Sequence, residues 1–300
     1  MSTTSTAPHA STPTLVLPAL LLVAATLGVA WQVGLLAAEV PDAALFRPET
    51  VVVAARSFSY RDDGEFFKGS LVIDPPMVRV VADAPLAIMK YQVSFGQYAS
   101  CVAERACKAP EAATTDRADI PVTGVSFDDA TAYAAWLSAK TGEHWTLPTD
   151  RQLAFAAGPD FPDDALGLDP DNKNPALRWL ADYKREAAEK ALRDPAPRPL
   201  GSYGVNEFGV ADFGGNVWEW TTTCHRRVHI DALGAINRTE PVCGVYVTVG
   251  SHRSPMSSFV RDPRGGGCAV GTPPSNLGFR LVRDDRWYAA LLRILRIARG

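Results

Sequence analysis

Residues 209–221 read GVADFGGNVWEWT. Asp212 and Glu219 supply two hard carboxylates, and Gly214, Gly215 and Asn216 between them turn a backbone sharply while leaving its carbonyls accessible. The result is an oxygen-rich turn. Trp218 and Trp220 alternate with Val217 and Glu219, so a strand-like continuation puts both indoles on one face and the carboxylate on the other. On residue chemistry alone the stretch is either a tight turn backed by core tryptophans or a loop that holds a cation.

The surrounding chain is long enough to bury a core around this turn. It has 300 residues, 47% hydrophobic and 21% charged, which suits one sizeable domain plus an extra element. A net charge of −3 with no basic run interleaved with aromatics argues against a nucleic-acid partner. The 23 glycines and 23 prolines are scattered, favouring a loop-rich α+β domain over a doubly wound sheet.

Residues 15–38 carry no charge and are long enough to cross a bilayer of roughly 30 Å as a helix. A cleaved signal peptide is the rival reading. The stretch before it has no Lys or Arg and the apolar run exceeds an ordinary signal core, so an uncleaved anchor is expected. The expected organisation is a polar tail (1–14), a transmembrane anchor (15–38), a linker (39–50), the main domain (51–285) and an amphipathic C-terminal helix (286–300). That last helix has an apolar stripe through Trp287, Leu291 and Ile294 beside Arg293, Arg296 and Arg299, which suits either an anionic membrane surface or packing on a domain.

Within the domain, residues 51–55, 71–73 and 77–81 read as strands. Ser94 can start a helix; Ser126 with Asp129, and Thr149 with Gln152, form capping boxes ahead of helical patterns ending at Gly142 and Gly158. Pro175 opens a longer helix reaching about Arg193. Residues 161–174, FPDDALGLDPDNKN, lack the central Gly and terminal Glu of an EF-hand and read as a solvated loop.

None of the five cysteines falls in a CxxC pattern. Cys101 with Cys107, and Cys224 with Cys243 around a polar loop, are spaced for local disulfides, which imply an oxidising compartment and, with the anchor, a periplasm-facing domain. Cys268 is the odd one: a reactive thiol near Arg261 and Arg264, a buried thiol, or an alternative partner for Cys224 or Cys243. His225 and His229 have the i,i+4 spacing of a helical zinc site, but no Glu follows the first His and the Thr-rich approach argues against a helix.

Three motifs in order, LPTDRQLAFAAG (147–158), GNVWEWT (215–221) and NLGFRLVRD (276–284), resemble the formylglycine-generating enzyme, or sulfatase-modifying factor, family. The resemblance implies its variant of the C-type-lectin-like fold. It also implies one structural Ca²⁺, held by the side chains of Asp212 and Glu219 and the carbonyls of Gly215 and Val217; the family's second calcium site has no clear match. The family's oxidases bind Cu(I) through two cysteines that follow an Arg-Gly-Gly-Ser-aromatic motif. The matching stretch here is TVGSH (248–252), and the cysteine positions fall on Ser254 and near Phe259, neither of which supplies a thiolate. Copper or iron is therefore not expected. The wording around 264–284 looks most like NirV-type members associated with copper nitrite reductase and denitrification. Two functions follow from the resemblance: a non-oxidase accessory or maturation factor for a periplasmic partner, or an enzyme modifying a protein or small molecule through a remodelled pocket at Ser251, His252, Ser254, Arg261 and Cys268.

Overall fold

The computed structural model describes residues 21–26, 28–29, 47–111, 117–169, 171–172, 174–191, 196–263 and 276–285. The chain divides into two compact units, Asp42–Asp285 and a second containing both termini. Of the second unit, residues 21–26 and 28–29 are described, as exposed helix. Among the described residues no helix is long and apolar enough to cross a membrane. The expected anchor and the C-terminal helix fall mostly or wholly outside the described residues.

The main unit is α+β. Its elements in chain order are β1 (Thr50–Val53), β2 (Arg56–Arg61), β3 (Glu65–Lys68), β4 (Leu71–Ile73), β5 (Met77–Ala82), β6 (Leu86–Met89), α1 (Phe95–Ala103) and α2 (Phe127–Thr141). Next come β7 (Trp145–Thr146), α3 (Asp150–Ala157), α4 (Pro175–Ala191), β8 (Trp218–Ile230), β9 (Ile236–Val249), β10 (Arg253–Ser257), β11 (Leu277–Gly278) and β12 (Val282–Arg283). One sheet runs β1-β6-β12-β7, a second β10-β9-β8-β3-β4 with β11 alongside β8, and β2 pairs β5 as a separate ribbon. The last residues of the unit thus close both larger sheets: β11 lies parallel to the start of β8, and β12 inserts between β6 and β7.

Helix starts follow the expected chemistry. Ser94, Ser126 and Thr149 each accept from the backbone N–H three residues on, and the side chains of Gln97, Asp129 and Gln152 return the bond. Reciprocal capping removes two unpaired donors from each helix end, worth about 1 kcal/mol per cap. Gly142 ends α2 in the left-handed region at φ 70°, where other residues are strained.

The expected polar loop between Cys224 and Cys243 is instead a long antiparallel hairpin of β8 and β9. Sequence reading missed it because His225, Arg226 and Arg227 break the usual apolar alternation. They are tolerated because the sheet has a polar face: Arg226 pairs with Asp63 and Asp62, and His229 stacks on Phe67 at 5.0 Å. The described residues of 161–174 contain no regular element, yet Phe161, Leu166 and Leu168 are half buried, so this part of the chain is more than a solvated loop.

Two apolar clusters hold the unit together. The larger gathers Tyr98, Tyr133, Leu137, Trp220, Met256 and Phe279 between α1, α2 and the start of β8. The other sets Ile88, Leu153, Phe155, Val210 and Val249 between β6, α3 and β9. Trp220 is fully buried, donates from Nε1 to Val125 O at 2.9 Å and meets Phe127 edge-on at 6.1 Å. That satisfies the polar tip of a buried indole.

Candidate functional site

The glycine-rich turn is built by close approach. A Cβ on Gly215 would stand 2.7 Å from the Tyr203 ring, and one on Gly250 would stand 2.5 Å from the Trp218 indole, so glycine is required at both. Asp212 and Asn216 both take left-handed backbone, at φ 56° and 69°. Each is held there by its side chain. Asp212 accepts from the N–H of Gly201 (2.6 Å) and of Tyr203 (2.8 Å), while Asn216 exchanges two hydrogen bonds with the Arg198 backbone, at 2.8 and 2.9 Å.

Glu219, 3% exposed, faces away from Trp218 and Trp220 and meets Arg280, which is fully buried. Arg280 donates from Nε to Oε2 and from Nη2 to Oε1, both at 2.6 Å, and its remaining donors reach the carbonyls of Ala211 (3.0 Å) and Lys90 (3.1 Å). Gln92 Nε2 donates to Glu219 Oε1 at 2.9 Å and lies 3.2 Å from Gly215 O and 3.4 Å from Asp212 O. One amide nitrogen therefore stands where three oxygens converge. Gln92 Oε1 is buried and has no hydrogen-bond partner among the described residues.

Calcium can be tested against these atoms. The main-chain oxygens of Asp212 and Gly215 and the carboxylate of Glu219 already converge, and turning over the Gln92 amide would add its orphaned Oε1 as a fourth hard donor. In kind, the donors fit a hard cation. The Asp212 carboxylate accepts from the 201–203 turn, the Glu219 carboxylate accepts from Arg280, and Gln92 stands beside Glu219. Val217 is buried in the same loop.

The residues expected to form a remodelled pocket are distributed differently. Ser251 is exposed and His252 half buried in the turn between β9 and β10, where Trp218 Nε1 donates to His252 O at 3.0 Å. Ser254 lies on β10, 2% exposed, with its Oγ unpartnered among the described residues. Arg261 binds Asp129 at the start of α2, Nη2 to Oδ1 and Nε to Oδ2, both 2.8 Å. It serves the α2 cap. Cys268 lies outside the described residues. Phe259 is 74% exposed.

Both expected disulfides form, Cys101–Cys107 at the end of α1 and Cys224–Cys243 across the hairpin. Four of the chain's five cysteines are thereby consumed. A Cu(I) centre of two thiolates needs two free cysteines, and this chain has only Cys268 left, so its residues do not fit that centre.

Beneath β10 lies a buried carboxylate that sequence reading did not single out. Asp150, the first residue of α3, is fully buried, and neither carboxylate oxygen has a hydrogen bond among the described residues. Arg253 Nη1 comes no nearer than 3.6 Å, because Arg253 is held by Asp164 (Nε to Oδ2, 2.8 Å) and by the carbonyls of Arg61 and Asp62. Burial pushes the Asp150 carboxyl up to about 7; Arg253 opposes this, and Asp63, Asp164 and Asp62 reinforce it. At 3.6 Å the ion pair is too loose to offset desolvation.

A family model described as sulfatase-modifying factor enzyme 1-like domain matches residues 37–285, and the chain belongs to that family. The formylglycine-generating enzyme of Mycobacterium tuberculosis is 35% identical over 116 residues, 36% of this chain and 35% of the relative. The bovine formylglycine-generating enzyme is 27% identical over 186 residues, 59% of this chain and 47% of that protein. The matched stretches thus span about a third to about half the length of these curated relatives. PvdO from Pseudomonas aeruginosa shares the fold, with a TM-score of 0.52 and 23% identity over 80% of this chain and 95% of that one.

Proposed function

We propose that this protein is a membrane-anchored, periplasm-facing member of the sulfatase-modifying-factor family that acts as an accessory or maturation factor for a periplasmic protein, and not as a formylglycine-generating oxidase. The carrying observation is the cysteine inventory. With Cys101, Cys107, Cys224 and Cys243 in disulfides, one cysteine remains for chemistry that in the family's oxidases uses a thiolate pair. The buried hydroxyl of Ser254 and the exposed ring of Phe259 at the corresponding positions support the same reading. The NirV-like wording near the C-terminus directs the proposal toward a partner in copper-dependent nitrite reduction.

A single calcium ion belongs to this proposal. Gly215 O, Asp212 O, Glu219 and Gln92 would hold it, and its charge would tie the glycine-rich turn to β8. Metal analysis of the purified full-length protein is the test: calcium at about one per chain with no stoichiometric copper or iron is expected. Stoichiometric copper or iron would overturn the non-oxidase reading. The topology is tested separately by protease accessibility of the domain in spheroplasts, where protection of the domain would contradict a periplasmic placement.

A further inference from the structure

A cavity of about 360 Å³ opens between β4, residues Leu168, Asp169, Asn172 and Asn174, and the first turns of α4. Its volume is at the lower end of small-molecule sites. Leu71, Ile73, Leu168 and Leu177 line it with apolar surface, and the indole of Trp179 forms part of its wall. Trp179 is 69% exposed and lies nearly parallel to Tyr183, which is outside the lining, at 5.8 Å and 18°. A helix this exposed on its apolar side is unusual for a residue pattern that could have packed inward.

The charges in the wall are unequal. Among the described residues of the wall, Asp74, Asp169 and Asp182 face a single guanidinium, that of Arg178. Arg178 is pinned to the wall by Val72 O at 2.9 Å and stands 3.8 Å from Asp74. Asp74 also accepts from Gly167 N, and Asp182 is bridged by Arg185, whose other end is fixed on Asp164 O outside the wall. Among the described residues the Asp169 carboxylate accepts only a backbone N–H, from Asp171 at 2.9 Å, which leaves its second oxygen for a ligand. Apolar walls, an open indole and an excess of carboxylates describe a receptor for a cation on an apolar body. An anion would meet Asp169 and Asp182; a neutral molecule would forgo the charge attraction of the carboxylates and the cation–π contact.

We propose that this cavity binds a small organic ammonium ion, with its charged head between Asp169 and the Trp179 ring and its apolar part against Leu71, Ile73 and Leu177. The site is independent of the glycine-rich turn and does not rest on the accessory-factor reading.

Titration calorimetry of the full-length protein in detergent, against a detergent blank, tests it with phenethylammonium, 2-phenylethanol and phenylacetate as probes. The ammonium should bind saturably at about one per chain, and the alcohol and carboxylate at least about tenfold more weakly. Trp179→Ala and Asp169→Asn should each weaken ammonium binding about fivefold or more without shifting the melting midpoint, because both side chains are exposed. Equal binding of alcohol and ammonium, wild-type affinity in both variants, or no saturable heat with the ammonium would each overturn the proposal.

Discussion

Arg280 lays Nε and Nη2 on the two carboxylate oxygens of Glu219, each at 2.6 Å, and joins the NLGFR motif near the end of the domain to the GNVWEW turn. Both partners are buried, and the remaining guanidinium hydrogens go to carbonyls of the β6 end and residue 211. Breaking one side of such a pair strands a charge in the core. Glu219→Gln and Arg280→Met should each lower the unfolding free energy by about 3 to 5 kcal/mol, with the double variant costing clearly less than their sum. Denaturant unfolding measures this, and single-variant losses below about 1 kcal/mol would show that the pair does not couple the two motifs.

Much of this was legible in the residues. The capping pairs at Ser126 and Thr149 and the glycine stops at 142 and 158 are local rules, and the structure follows them. Two features were not. The hairpin through residues 225–229 was hidden because its polar residues are satisfied by β3 and its preceding turn, a long-range fact invisible to local alternation. Arg280 and Gln92 were hidden because their partners lie 61 and 127 residues away. A lone Arg between Phe279 and Leu281 was the available signal, since an arginine inside an apolar run implies a buried acid somewhere.

The convergence of three oxygens on Gln92 Nε2 makes this amide the sensitive probe of the proposed calcium ion. Chelation should lower the melting midpoint and added calcium restore it, by roughly 2.7 kcal/mol at a hundredfold excess over the dissociation constant. Gln92→Leu removes the candidate fourth donor while leaving Glu219 and Arg280 paired, and should shrink the response. Identical melts with chelator and with calcium would remove the ion from the account.

Asp150 sets a pH dependence of known sign. Its carboxyl titrates near 3.9 in an unfolded chain but is pushed up to about 7 in the fold, so between those values the native state holds a proton the unfolded state has lost. The group's contribution is greatest below about pH 4 and is lost as pH rises toward 7, a change on the order of 2 to 4 kcal/mol. Relative to an Asp150→Asn variant, the wild type should therefore weaken progressively from about pH 4 to pH 7 and level off above that. A difference that is flat with pH, or that grows in the wild type's favour, would mean that Arg253 holds Asp150 ionised.

Non-reducing peptide mapping should recover Cys101 linked to Cys107 and Cys224 to Cys243, with Cys268 the one residue alkylated after unfolding. In the loop-closure view the bridge spanning 19 residues contributes about 1 kcal/mol more than the one spanning 6. Burial acts the other way, because Cys101 and Cys107 sit in the larger core cluster. Replacing both cysteines of the shorter bridge should therefore cost at least as much as replacing the hairpin pair, as read from chemical melts. A much smaller cost would assign the stability to loop closure alone.

The central claim, a sulfatase-modifying-factor fold without the oxidase, is tested by incubating the purified full-length protein with a sulfatase-type cysteine peptide, oxygen, reductant and added copper, and quantifying formylglycine by mass spectrometry. With four of five cysteines in disulfides, and the thiolate positions implied by the family resemblance falling on Ser254 and near Phe259, no conversion above a protein-free control is predicted. Multiple turnovers per chain would contradict the account.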